Sequence, residues 1–501
     1  MHRICSFSRR PTWPPSAVQP SSPPVVIPIT PAAPAGDDEL EVSLYAKQAK
    51  IYPRAVSGWF ARWRWIMVWV TQLVFYGGPW LNWNARQALL FDLDTRVFYV
   101  FGLVLQPQDF IWLAALLIIA ALALFFFTAV AGRLWCGYAC PQSVYTEIYL
   151  WIERHFEGDR QARMRLDAAP WSLNKIWRKA GKQTCWIAIG LYTGFTFVGY
   201  FTPIHHLAAE LASLSFTPWE WFWVLFYGFA TYGNAGYMRE QVCKYMCPYA
   251  RFQSALIDAD SMVIAYDPGR GDPRGSRPRK VDPKTRGLGD CIDCTLCVQV
   301  CPTGIDIRNG LQNECIGCAA CIDVCDDVMG KMGYAPGLIR YSTENGVAQG
   351  LTRAQMLRRT LRPRVLIYGA LLALLGAGFV VTLSQRAPFK LDIVKDRGTL
   401  AREVEGGAIE NVYVLHIANS TEQRQQYRIA VSGLPGLRIA SASDLAVDAV
   451  GLASLPVRVV LPPEVAQAHA GRANPVLFEV TSGASGQART VQQASTFFVP
   501  H

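Results

Sequence analysis

The chain has 501 residues, 51% of them hydrophobic, with 16 Trp, 20 Tyr, 24 Phe and a formal net charge of +10. That length exceeds what one core organises, so several domains are expected, and the apolar composition points to membrane segments carrying soluble parts. The excess positive charge sits in loops beside apolar segments and forms no basic stripe with interleaved aromatics, which excludes a nucleic-acid binder.

Residues 1–37 are rich in Pro and Ser and read as a disordered head that holds Cys5 and no signal-peptide pattern. Five apolar segments follow, at roughly 65–81, 110–132, 185–203, 218–236 and 365–384. Each is near the ~20 residues needed to cross a bilayer. Basic residues set the expected orientation. Arg54, Arg62 and Arg64 precede the first segment and place the N-terminus inside. Arg133, Arg154, Arg160, Arg163, Arg165, Lys175, Arg178, Lys179 and Lys182 mark the second loop as cytoplasmic. The stretch 204–217 has no Lys or Arg and is expected to be an outer loop.

Two short thiol motifs recur at the inner ends of the second and fourth segments. R-L-W-C-G-Y-A-C-P carries Cys136 and Cys140, and Q-V-C-K-Y-M-C-P carries Cys243 and Cys247. Both fit C-x-Y-x-C-P, so the first four helices read as two similar hairpins. Cysteines four apart share a helix face, and Pro141 or Pro248 then disturbs the helix. Four thiols at one depth suit a third iron–sulfur cluster, a soft ion such as Cu(I), or a dithiol relay, and the residues leave these open. The bland reading is small buried packing residues.

Residues 267–290 read as a solvated Gly/Pro/Arg linker. Then eight cysteines come as C-I-D-C-T-L-C-V-Q-V-C-P and C-I-G-C-A-A-C-I-D-V-C-D, two runs of C-x-x-C-x-x-C-x-x-x-C. In such runs three cysteines of one half and the fourth of the other hold each [4Fe–4S] cluster. Cys291, Cys294, Cys297 and Cys325 are therefore assigned to one cluster, and Cys315, Cys318, Cys321 and Cys301 to the second. Tetrathiolate zinc is the competing reading, but its sites come as separated C-x-x-C pairs. Cluster thiols need a reducing compartment, so this segment belongs in the cytoplasm, as the charges also indicate.

Weaker candidates are His205 and His206 for an external metal, Cys185 as a packing residue, and Met329 and Met332 packing beside the last cluster cysteine. Glu147 and Glu220 lie near segment ends, and Asp326 stands where ferredoxins often carry Pro. Beyond Arg386, about seven alternating stretches such as N-V-Y-V-L-H-I-A-N and P-V-L-F-E-V-T read as strands of an immunoglobulin-like sandwich without a disulfide.

The expected architecture is thus a membrane α-helical core of five transmembrane helices with an inserted ferredoxin-like α+β unit and a C-terminal all-β sandwich. In residue terms these are 38–250 for four helices, 251–363 for a cytoplasmic region with the cluster unit at about 285–330, 364–385 for the fifth helix, and 386–501 for a periplasmic domain. No trusted Rossmann fingerprint and no C-x-x-C-H motif occurs, which argues against nicotinamide or c-haem chemistry.

The strings P-W-L-N-W-N-A-R-Q-A-L-L-F-D-L, P-Q-D-F, G-R-L-W-C-G-Y-A-C-P-Q, T-E-I-Y-L-W-I-E-R and K-M-G-Y-A-P-G-L-I-R-Y, with the eight-cysteine run, resemble the FixG/RdxA/CcoG family of cytochrome c oxidase accessory proteins. The resemblance runs from about residue 45 to the end. It implies a multi-pass protein of the bacterial inner membrane that matures the cbb-type oxidase by reducing Cu(II) to Cu(I), with two [4Fe–4S] clusters and copper as cofactor candidates. Oxidase subunits or copper-delivery proteins and a cytoplasmic electron donor are the implied partners. The alternatives are a non-enzymatic assembly scaffold, or a quinol-linked electron carrier feeding a reductase.

Overall fold

The elements preceding the cysteine run are mostly helical. In the computed structural model, which describes residues 50–500 apart from 280, 397, 399–400 and 484–487, residues 51–501 form one unit. The Pro-rich head lies outside the described residues. Helix α1 (Trp59–Gly77) leads to a small meander of β1 (Leu89–Asp92), β2 (Val97–Val100) and β3 (Leu103–Leu105). Next come α2 (Phe110–Ala131), α3 (Leu134–Tyr138), α4 (Pro141–Glu157), α5 (Arg160–Ala168), α6 (Leu173–Val198), α7 (Ile204–Ser213), α8 (Pro218–Thr231) and α9 (Pro248–Leu256). The cysteine unit holds β4 (Val263–Tyr266), α10 (Leu296–Gln299), α11 (Ala320–Met332) and β5 (Ile339–Ser342), and α12 (Pro363–Ser384) leads out of it.

Among the described residues, α2 and α12 are long and apolar enough to cross a membrane. They pack side by side and antiparallel, and both ends are tied. Trp112 meets Phe379 edge-on at 5.7 Å, and Gly369 lets Phe126 approach. At one end Asp109 accepts from Arg386 at 2.6 Å and lies 2.6 Å from Lys390. At the other, Arg362 donates to the Ala129 carbonyl at 2.8 Å. Their outward faces stay bare: Ile111, Leu117, Ile367 and Leu374 are each more than 60% exposed. An apolar surface of that extent is stable against lipid and not against water.

The other three expected spans differ from their predicted bounds. Helix α1 starts earlier and carries Arg62 and Arg64. The first turns of α6 are basic, and α8 runs 14 residues before its winding widens into a π-helix at Tyr232–Met238. Helices α6 and α8 pack closely through small residues. Gly190 and Gly194, four apart, press on Gly228 and Val224, and a Cβ on Gly194 would fall 2.1 Å from the Val224 carbonyl. The expected outer loop after α6 is instead helix α7, because Ile204 and Leu207 share an apolar face that is buried.

Strands β4 and β5 pair antiparallel, Ile264 opposite Tyr341, and so close the cysteine unit across its two ends. The expected solvated linker is folded against that unit. Arg270 pairs with Asp290 at 2.6 Å, and the buried Arg277 guanidinium donates to the Cys291 carbonyl. Its backbone carbonyls and Arg side chains find partners there that outweigh the freedom its Gly and Pro content suggested.

The C-terminal domain is a two-sheet sandwich. Its strands are β6 (Phe389–Lys395), β7 (Arg402–Val404), β8 (Ala408–Asn419), β9 (Gln425–Ser432), β10 (Arg438–Ile439), β11 (Asp444–Val447), β12 (Leu452–Leu461), β13 (Ala473–Ser482) and β14 (Thr490–Phe498). One sheet runs β10–β12–β8–β6 with β7 beside β8, and the other β11–β9–β13–β14. Alternate residues Tyr413, Leu415 and Ile417 of β8 and Val476, Phe478 and Val480 of β13 fill the space between the sheets.

Candidate functional site

The cysteine unit is bent by its backbone before any metal is considered. In each half the residue before the second cysteine and the residue after it are left-handed: Asp293 and Thr295 at φ 53° and 55°, Gly317 and Ala319 at φ 68° and 58°. These kinks curl each C-x-x-C-x-x-C segment around one volume and turn amides inward.

The eight sulfurs fall into two groups of four. Cys291, Cys294, Cys297 and Cys325 line one cavity with Arg308 and Met329. Cys301, Cys315, Cys318 and Cys321 line a second, which Cys297 also borders. Each cavity thus takes three cysteines from one half of the run and the fourth from the other.

Zinc with bonds of about 2.3 Å needs four sulfurs within about 3.8 Å of each other. Among the described residues no three His, Cys, Asp or Glu side chains close on a single ion. The ligand pattern, three cysteines from one half and the fourth from the other, suits an iron–sulfur core. Burial pushes the Cys297 thiol up to about 11 and the Cys315 and Cys325 thiols up to about 12. Metal must therefore displace protons when it binds. Backbone amides of Gly317 and Ala320 already donate to the sulfurs of Cys315 and Cys318.

The two cavities differ in access. Cys294 is exposed, whereas the loop of Cys318 is pressed into the helical region. Arg64 of α1 donates to the Cys318 carbonyl at 2.8 Å, and Tyr341 donates to that of Gly317 at 2.7 Å. Gly137, between the first pair of motif thiols, lies flush on Gly317 and Cys318. The motif side therefore meets the cysteine loop backbone to backbone.

The two C-x-x-x-C-P motifs have matching local geometry. Each second cysteine is extended, Cys140 at φ −61° and ψ 128° and Cys247 at φ −77° and ψ 110°, and each stands at the N-cap of a helix beginning with Pro. Cys243 lies within a π-helix, Val242–Met246. Burial raises the thiol pKa of Cys136, Cys140 and Cys243, and neighbouring motif thiols, Cys247 among them, add to each. Cys136 donates to Gln253 Oε1 at 3.3 Å. A cavity touches both Cys243 and Cys318 and is lined also by Arg64, Glu147 and Arg239.

The weaker candidates have structural roles. His206 sits 3.5 Å from Glu210 on α7 and His205 packs on Trp80. Glu220 completes a capping box with Thr217 at the start of α8. Cys185 packs beside Trp186, Met329 is buried beside the first cavity, and Met332 packs against the same core. Asp326 remains helical and accepts the Gly337 amide at 2.7 Å, a contact that Pro could not make. Gly137, Gln253 and Asp323 escaped sequence reasoning, as did the contact of Arg64 with the Cys318 loop. Only Gly137 carried a signal, its place inside a repeated motif.

Sequence profiles of known families match three stretches: a 4Fe-4S dicluster domain at 238–344, a 4Fe-4S binding domain at 113–157, and an IG-like fold at the C-terminal of FixG at 379–500. The chain is 37% identical over 423 residues to the nitrogen fixation protein FixG of Rhizobium meliloti, covering 78% of this chain and 81% of that protein. It is 40% identical over 403 residues to protein RdxA of Cereibacter sphaeroides, covering 79% and 85%. A FixG-related protein from Vibrio parahaemolyticus of known crystal structure aligns at 22% identity and TM-score 0.20, over 23% of this chain and 98% of that one.

Proposed function

The chain belongs to the FixG/RdxA family, and from that membership we propose that it is a membrane electron conduit serving cbb-type oxidase maturation, with Cu(II) as the acceptor it reduces to Cu(I). The observation that carries this reading is the pair of four-cysteine cavities, one reaching the surface and one pressed against the helical region. Iron–sulfur clusters, when bound, supply one-electron transfer. The protein's own residues set the direction. Exposed Cys294 gives a donor its approach, and the Gly137–Gly317 contact brings the inner cavity to the motif thiols. Residues Cys291, Cys294, Cys297 and Cys325 would hold one cluster, and Cys301, Cys315, Cys318 and Cys321 the other.

Five membrane passes complete the reading, with α1, α6 and α8 joining α2 and α12. The cysteine unit then faces the cytoplasm and the β-domain the periplasm. Charges support this: Arg133, Arg362 and Arg364 cluster at the cysteine-unit end of the α2/α12 pair. Copper enters as substrate. Thiolates prefer Cu(I) over Cu(II), so reduction at a thiol-rich surface favours its own product.

The test uses full-length protein reduced by dithionite under argon, with excess reductant removed and Cu(II) then added. Loss of the reduced-cluster EPR signal, with one chelator-trapped Cu(I) per electron, is expected. An unchanged signal sinks the copper assignment. Deleting residues from 386 onward separates the scaffold reading, under which oxidase maturation is lost while copper reduction persists.

A further inference from the structure

We propose that the cavity bordered by Cys243 and Cys318 is a binding site for a phosphate group, held by guanidinium donors of Arg64, Arg154, Arg163 and Arg239. The proposal goes beyond the conduit reading and does not rest on it, because it concerns anion binding and not electron transfer.

Three observations carry it. First, the lining is cationic. Arg54, Arg64, Arg154, Arg163 and Arg239 line the cavity, against the carboxylates of Glu147 and Glu240. The buried charges behind that wall do not make up the difference. Arg163 and Arg239 each donate at 2.9 Å to the same oxygen of Glu153, so one carboxylate answers two guanidinium charges. Lys182, the third cation beside it, is held at 2.8 Å by Glu157. A positive charge left over in a buried site is costly unless an anion joins it.

Second, two of these arginines are buried with a donor to spare. Arg64 is 8% and Arg163 1% exposed, and the Nε of each has no hydrogen-bond partner. Their other contacts fix them in place. Arg64 donates through Nη1 to the Cys318 carbonyl at 2.8 Å, and Arg163 through Nη2 to the Pro53 carbonyl. Arg154 is partly exposed, and its nearest carboxylate, Glu147, stands 4.0 Å away. Guanidinium groups positioned by neutral carbonyls keep their charge available, and their planar forks match the oxygens of phosphates and carboxylates.

Third, the donors surround a space. The cavity has a volume of about 80 Å³, several times the ~10–15 Å³ that one water takes. Arg64 comes from α1, Arg154 from α4, Arg163 from α5, and Arg239 follows the π-helix. Donors from four elements suit a tetrahedral phosphate better than a carboxylate, which offers its two oxygens in one plane. Val68 and Leu150 add an apolar stretch of wall. The phosphate therefore belongs either to the free ion or to a phospholipid headgroup, and the experiment separates the two.

Delipidated full-length protein in detergent is titrated by calorimetry with sodium phosphate and, separately, with short-chain phosphatidylglycerol, against sodium chloride at matched ionic strength. Binding of phosphate assigns the free ion as a ligand, and binding of the lipid alone assigns the headgroup. Binding of neither overturns the proposal. Arg154→Gln is expected to weaken binding about tenfold or more, the loss that one charge-assisted hydrogen bond brings. Arg165→Gln removes the same charge from the exposed side of α5, outside the cavity, and is expected to leave binding unchanged. Equal weakening in the two variants would mean general charge attraction and overturn the site. If Arg154→Gln does not fold, Arg54→Gln at the exposed rim takes its place with the same expected result. Copper reduction can fail while phosphate still binds, so the two readings fail separately.

Discussion

Gly137 and Gly317 touch through their backbones: a Cβ on Gly137 would stand 2.8 Å from both the carbonyl carbon and oxygen of Gly317. No side chain lies between to move aside. Replacing Gly137 by Ala gains up to about 1 kcal/mol of helix propensity in α3. It also forces the cysteine loop away from the motif, and overpacking of this kind costs about 1–3 kcal/mol. The clash wins because the obstacle is main chain. Gly137→Ala is expected to lower the thermal midpoint in detergent and to perturb the EPR signal of the Cys301/Cys315/Cys318/Cys321 site, leaving the Cys291 site unchanged.

Asp323 caps a helix on another element. Helix α1 begins at Gly58, which has no side chain to offer, and Asp323 of α11 accepts from Phe60 and Ala61 at 3.1 and 2.7 Å. Loss of an N-cap costs about 0.5–2 kcal/mol. Asp323→Ala is expected to destabilise by that amount and to speed amide hydrogen exchange in the first turn of α1. Unaltered exchange there would contradict the cap.

Glu153 sits at the centre of a buried charge group, accepting from Arg163 and Arg239 at 2.9 Å each, with Lys182 at 3.7 Å. Burial pushes its carboxyl up, but Arg239, Arg163 and Lys182 together pull it below the usual range. A carboxyl depressed on folding contributes stability above its unfolded pKa of about 4.3 and loses it as pH falls through the lower folded value. The thermal midpoint is therefore expected to be unaffected by Glu153 titration near neutrality and to drop below pH ~4.3. Glu153→Gln leaves buried cations uncompensated, at a cost of about 3–5 kcal/mol. It should flatten the acid limb of the wild-type curve.

Orientation can be read with C-terminal fusions. Residues 379–500 match the family's sandwich domain, and α12 leads into it from the cysteine unit. An alkaline phosphatase fused after His501 is expected to be active and a green fluorescent protein dark. The reverse pattern would place the cysteine unit outside and refute the membrane arrangement.

The two apolar helices, the cysteine spacing and the alternating strands were legible in the sequence because each depends on a short-range period. Phe110–Ala131 announces itself by composition alone. What stayed hidden came from long-range pairing. Nothing near residue 58 signals that its helix is capped from residue 323, and nothing marks Gln253 as the neighbour of Cys136. Residues 267–290 looked loose because Gly and Pro suggest freedom locally, whereas Arg270 and Arg277 anchor that stretch through Asp290 and the Cys291 carbonyl. The 204–217 stretch offered no local period strong enough to mark a helix, yet the buried apolar face at Ile204 and Leu207 makes its first ten residues helix α7.

The Asp323 cap also imposes an order on biosynthesis. Its carboxylate lies 263 and 262 residues after the amides it holds. At roughly 5–20 residues per second, the ribosome adds that stretch about 13–50 s after starting α1. Through that interval the first helix has no permanent N-terminal partner, and it acquires one only when α11 docks. Completion of the chain's beginning therefore waits on the folding of its cysteine unit.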